Sequence, residues 1–151
     1  MLKFEYSSLI NANVEEVWHF HEREDILQIL TPPWQPVEVL RREGGLAVGA
    51  ISEFRLWLGL IPVKWLDRHT QCKPYDLFVD EQTVGPMESW VHYHKFAVEN
   101  GKTRLTDYIE YELPGGLPAE LLLNYWVDAR LRDMFRYRHE VTVKEVVKLR
   151  S

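Results

Sequence analysis

The chain has 151 residues, a formal net charge of −5 and nineteen aromatic residues, six of them Trp. The acidic balance leaves no basic stripe for a phosphate backbone, so nucleic acid is not an expected partner. The single cysteine, Cys72, excludes an internal disulfide and any multi-cysteine metal centre. No apolar run is long enough to span a bilayer, and the first residues lack the apolar core of a signal peptide. The expectation is a single cytoplasmic domain over residues 1–151, monomer or homodimer, without stable membrane insertion.

Lys3–Ser8 alternates as a first strand with Phe4 and Tyr6 on one face. Asn11 or Asn13 then offers an N-cap, Glu15 and Glu16 fall where the helix dipole favours acids, and Val14, Val17, Trp18 and His21 recur at helical spacing. A second short helix is predicted over Glu24–Gln28, ending before Thr31-Pro32-Pro33-Trp34, where two prolines forbid continuation. The period then becomes two: strands are predicted at Pro36–Arg42, Ala50–Trp57, Val63–Gln71, Leu77–Gln82, Ser89–Val98 and Thr103–Leu113. Glu43-Gly44-Gly45 and Gly85-Pro86 read as turns, and Asn100-Gly101 is a strong hairpin signal. Strands in unbroken succession imply antiparallel pairing, since parallel strands need crossovers. After Gly115-Gly116 the period returns to 3.6, with Pro118 in a first helical turn and no break for some thirty residues. Leu123, Val127, Leu131, Met134 and Val141 form its expected apolar stripe, with Arg130 and Arg138 inside it. The class is α+β: a curved sheet whose apolar face is covered by the one long helix.

This element order resembles the helix-grip fold of the SRPBCC superfamily, which includes START lipid-transfer domains and polyketide cyclase/dehydrase-like proteins. The sharpest parts of the resemblance are Phe78-Val79-Asp80-Glu81-Gln82 before Gly85-Pro86, then Trp90-Val91-His92-Tyr93-His94-Lys95-Phe96. Thr106-Asp107-Tyr108-Ile109-Glu110-Tyr111-Glu112-Leu113-Pro114 and Phe135-Arg136-Tyr137-Arg138-His139 complete it. The similarity covers nearly the whole chain. It implies seven strands gripping the C-terminal helix, with an elongated cavity between, and it implies no particular activity.

Within GPMESWVHYHKF, residues 85–96, alternation puts Trp90, His92, His94 and Phe96 on one face. Charged Lys95 marks the other face as the outer one, and the same logic turns Asp107 and Tyr111 inward on the next strand. Buried polar groups need partners. His92, His94, Asp107 and Tyr111 are therefore either a satisfied network bracing the sheet or the polar end of a ligand cavity.

As a ligand site the set is Trp90, His92, His94, Phe96, Asp107, Tyr111, Met134 and Arg138, binding or carrying a small, mostly apolar molecule. As an enzyme, a cyclase, dehydratase or isomerase, it would use His92 or His94 as acid/base and Asp107 to orient them. A third alternative is a structural or interaction module with no ligand. His-x-His with a carboxylate could hold a metal, but without cysteine the spacing specifies none, so no metal or cofactor is expected. Arg130 and Arg138 either snorkel to solvent or, for Arg138, reach an oxygen on a ligand. Asp80 and Gln82 either join this network or hold the Gly85-Pro86 turn. Trp18, His19, His21 and His139 form no metal-like group and are expected mostly at the surface. The apolar loops Thr31–Trp34 and Leu58–Pro62 are either packed turns or the rim of a cavity mouth.

Overall fold

The computed structural model describes residues 1–148; residues 149–151 of the expected domain lie outside the described residues. In chain order the elements are β1 (Leu2–Ile10), α1 (Val14–His21), α2 (Ile26–Leu30), β2 (Val37–Glu43), β3 (Ile51–Leu58), β4 (Ile61–Lys73), β5 (Leu77–Val84), β6 (Ser89–Glu99), β7 (Lys102–Glu112) and α3 (Gly116–Lys148). The seven strands form one antiparallel sheet in the order β1-β7-β6-β5-β4-β3-β2, so the first strand closes beside the last. This is the α+β helix-grip arrangement.

Local chemistry explains most boundaries. Asn13 caps α1 by accepting from the Glu16 backbone N–H at 2.8 Å. The β6–β7 hairpin turns on Asn100 (φ 51) and Gly101 (φ 76), the left-handed pair that a two-residue turn of this twist demands. Gly85 has no room for a Cβ, which would lie 2.2 Å from Gln82 Oε1. Gln82 reaches over it and holds the Met87 backbone at both ends, Nε2 donating to the carbonyl and Oε1 accepting from N–H.

Three sequence expectations shift. The second helix begins at Ile26 rather than Glu24, because Ile26 and Leu30, one turn apart, are the residues that find the core. The β3–β4 turn tightens to Gly59-Leu60, so Pro62 joins β4 opposite Trp57. It is tolerated there because β4 has a neighbour on only one side before Leu66, leaving no ladder bond for its missing N–H to break. The third shift is in α3. Its inward stripe is Val127, Leu131, Phe135, His139, Thr142 and Val146. Leu123 and Arg130 are exposed, and Met134 and Val141 are only half-buried. A stripe sought by apolarity misses His139 and Thr142, which are buried for their hydrogen bonds.

Two apolar clusters fill the space under α3. One gathers Trp18, Phe20, Phe78, Phe96, Leu105 and Val146 beneath α1 and α2. The other gathers Trp65, Trp90, Tyr111, Val127, Leu131 and Phe135 toward the start of α3. Between them runs a belt of buried polar side chains.

Candidate functional site

The belt is assembled by strand register. Pairing back from the Asn100-Gly101 turn sets His94 opposite Asp107 and His92 opposite Ile109. The β5–β6 register sets Asp80 opposite His92 and Phe78 opposite His94. β4 brings His69 opposite Asp80, with Asp67 two residues earlier on the same face. α1 adds His21, and α3 lowers Arg138 and His139 onto the sheet.

Asp107 is the hub. Its Oδ1 accepts from His92 Nε2 at 2.7 Å, its Oδ2 from His139 Nε2 at 2.6 Å, and His94 Nδ1 lies 3.3 Å from Oδ1. Burial alone would raise this carboxyl, but the hydrogen bonds from His139, His92 and His94 hold it well below the usual range. His94 donates through Nε2 to Asp80 Oδ2 at 2.6 Å, so both its nitrogens face carboxylates. Burial opposes its charge, yet the bonds to Asp107 and Asp80 win and push its pKa up to about 9. Asp80 in turn is drawn below the usual range, its burial outweighed by the bond from His94.

The neighbouring histidines go the other way. His92 is lowered by burial and by the adjacent His94 charge, and burial brings His21 down to about 4. His92 and His94 are stacked at 3.6 Å, so two imidazoles in contact favour opposite protonation states. Phe78 lies on the other side of His94 at 3.9 Å, and Phe135 meets His92 edge-on at 5.3 Å. Asp67 accepts from Trp65 Nε1–H at 2.6 Å; burial and the facing Asp80 push its carboxyl well above the usual range.

Asp80, His92 and His94 place one donor atom each within 4.8 Å of one another, a group that could hold a metal ion. Two stacked, nearly parallel rings (27° apart) aim their in-plane lone pairs side by side rather than at one point. The His94 nitrogens are also both turned to carboxylates, so the arrangement suits proton sharing better than metal ligation.

Arg138 stands apart. Its guanidinium lies over the Phe135 ring at 5.2 Å, and its buried Nε has no hydrogen-bond partner. Burial lowers its pKa, while the charges of Asp107, Asp80 and Asp67 support the cation. Beside it is an enclosed space of about 20 Å³, lined by His21, His94, Asp107, Arg138, His139 and Thr142 among others. That is room for a single water. A larger opening of about 320 Å³ lies at the surface, lined from Gln28 to Val39 by the α2–β2 connection.

The family model described as "Polyketide cyclase / dehydrase and lipid transport" matches residues 10–139. The chain belongs to this family. No curated protein sequence matches it. Similar solved structures include TTHA0849 from Thermus thermophilus, with TM-score 0.76 and 18% identity, covering 99% of this chain and 100% of that one. Norcoclaurine synthase from Thalictrum flavum, a point mutant with a transition-state analogue, gives TM-score 0.75 at 11% identity, covering 99% and 96%. The ZhuI aromatase/cyclase from Streptomyces sp. R1128 gives 0.73 at 13%, covering 97% and 94%. At these identities the likeness is one of fold.

Against that family frame, the site residues read from sequence divide into three groups. His92, His94 and Asp107 are brought into direct contact, and Arg138 lines the small space beside them. Trp90 and Tyr111 belong to one apolar cluster and Phe96 to the other, flanking the histidines as core rather than opening into the enclosed space. Met134 is half-buried and in neither cluster. Asp80 joins the network while Gln82 holds the turn, so each of the two roles considered for this pair is filled by one residue.

The expectation of a mostly surface-lying Trp18, His19, His21 and His139 is corrected. Trp18, His21 and His139 are buried, and only His19 is exposed, paired with Glu22. His139, His21, His69 and Asp67 are the members that sequence reasoning missed. Asp67 had a signal in its alternation with Trp65 and His69; His139 had one in its spacing of four from Phe135. Where the resemblance implies an elongated cavity, Trp65, Trp90, Tyr111 and Phe135 pack together in one buried cluster. Among the described residues no helix is long and apolar enough to cross a membrane.

Proposed function

We propose that the protein binds a small, mostly apolar molecule whose oxygen-bearing head is held by Arg138 at the polar belt, the site opening as the ligand enters. The observation that carries this is the buried Arg138 Nε without a partner. A guanidinium so placed gains a charge-assisted hydrogen bond from any carboxylate, enolate or carbonyl oxygen that reaches it. The family description, which includes lipid transport, supports an apolar body for that ligand. The aromatic cluster of Trp65, Trp90 and Tyr111 is the surface such a body would displace or stack on.

Titration with aromatic and long-chain carboxylic acids should quench the intrinsic Trp fluorescence saturably. R138M should weaken binding about ten- to a hundredfold, the worth of a hydrogen bond to a charged group. No saturable response, together with no retained small molecule in native mass spectrometry, would overturn the reading.

A second reading rests on the opposite protonation preferences of the stacked His92 and His94. A neutral imidazole and an imidazolium in contact are an acid/base pair, suited to a cyclase, dehydratase or isomerase acting on a hydrophobic carbonyl compound. One similar structure is an aromatase/cyclase, which accords with it. Turnover that survives in both H92A and H94A would exclude these roles.

A further inference from the structure

The belt extends in a direction that the ligand reading does not use. His139 Nε2 meets Asp107 Oδ2 at 2.6 Å, and His139 Nδ1 meets Ser8 Oγ at 2.6 Å. Asp107 is an acceptor, so Nε2 carries the proton it shares with that carboxylate. In the neutral ring Nδ1 is then the acceptor, and the Ser8 hydroxyl donates to it. Serine, imidazole and carboxylate thus stand in the order nucleophile, base, orienting group.

Exposure follows the same order. Asp107 and His139 are 5% and 3% exposed, while Ser8 is only half-buried. Ser8 lies on β1, an edge strand of the sheet, and does not line the small space beside Arg138. The Tyr6 ring, edge-on to His139 at 4.8 Å, walls the same side. A hydroxyl whose role was only to tie β1 to α3 would need neither a base braced by a carboxylate nor an opening to solvent.

We propose that Ser8, His139 and Asp107 form an acyl-transfer site for small activated esters, reached from the β1 edge. Ser8 Oγ adds to the ester carbonyl carbon as its proton passes to His139 Nδ1, and the carbonyl π pair becomes the oxyanion. Collapse re-forms the carbonyl and breaks the bond to the alkoxy oxygen, which leaves with the proton from His139. Water, deprotonated by His139, then releases the acid from the acyl-serine. Asp107 holds the imidazole tautomer throughout and stays ionised.

The test uses the full-length protein. Diisopropyl fluorophosphate should place an adduct that peptide mapping locates at Ser8. With p-nitrophenyl acetate, S8A should lower nitrophenol release about a hundredfold, the scale of a lost activated nucleophile and base. Absence of an adduct at Ser8, or S8A releasing nitrophenol at the wild-type rate, would overturn the proposal. S8C guards against a folding defect in S8A. The thiol it introduces beside His139 should react with iodoacetamide at neutral pH faster than Cys72, whose thiol burial pushes up. Reaction no faster than at Cys72 would also count against the site. None of these outcomes bears on ligand binding at Arg138, so the two readings fail separately.

Discussion

The first turns of α3, before Val127, and the turns that follow are one continuous helix with opposite surroundings. Leu117 and Phe135 are eighteen residues apart, as are Leu121 and His139, which is five whole turns, so each pair points the same way. Yet Leu117 and Leu121 are 65% and 73% exposed, while Phe135 and His139 are 2% and 3% exposed. Leu122, Tyr125 and Trp126 extend the bare apolar surface of the first turns. The later turns bury a histidine and a threonine instead. Burial on this helix is decided by what lies beneath each turn, and the apolar character of the side chain is a poor guide to it.

The largest effect should come from the hub beneath the later turns. D107A leaves His92, His94 and His139 in a buried belt without their shared carboxylate, and should cost about 3–5 kcal/mol in urea unfolding. A loss under about 1 kcal/mol would mean that water solvates the belt, and the contrast between the two stretches would collapse. F135A removes a ring packed against Phe4 at 5.5 Å and His92 at 5.3 Å, and should cost about 3–5 kcal/mol as a core cavity.

A pH series sharpens the comparison further, because buried histidines depart from their ordinary pKa in both directions. His94 is raised to about 9 from 6.5, so its contribution is fully present below pH 6.5 and is lost as pH rises from there through 9. His21 is lowered to about 4, so its neutral form supports folding above 6.5, and that support is lost as pH falls from 6.5 toward 4. Urea midpoints should therefore decline on both sides of about pH 6.5. H94Q should flatten the alkaline limb and H21Q the acid limb. An unchanged alkaline limb in H94Q would remove the imidazolium from between Asp80 and Asp107.

How much of this was legible depends on sequence distance. The Asn100-Gly101 turn sets the β6–β7 register residue by residue, so the meeting of His94 with Asp107 is written within fifteen residues of chain. Alternation against Lys95 then tells which face is inner. The bond from His139 to Asp107 spans 32 residues, and that from His139 to Ser8 spans 131. Neither follows from a local pattern, because each depends on how α3 docks over the sheet. Apolarity placed the α3 stripe over Met134 and Val141, when the helix turns slightly further to seat Phe135, His139 and Thr142. The clustering of Trp65, Trp90, Tyr111 and Phe135 was equally out of reach, since a count of aromatic residues does not say where they gather.

Smaller effects test the edges of the comparison. N13A removes the cap of α1 and should cost about 1 kcal/mol by thermal or urea unfolding. The smallest change is expected where hydropathy alone would forecast a large one. L121A truncates a leucine that points the same way as His139 but is 73% exposed, and should move stability by no more than about 0.5 kcal/mol in the free protein. A cost near that of F135A would mean that the start of α3 is covered in solution, by a second copy or by closure onto the sheet. Sedimentation of the wild type across a concentration range separates these, because self-association depends on concentration and closure does not. A small cost for L121A together with a large one for F135A would confirm that the same helix face is core at one end and solvated surface at the other.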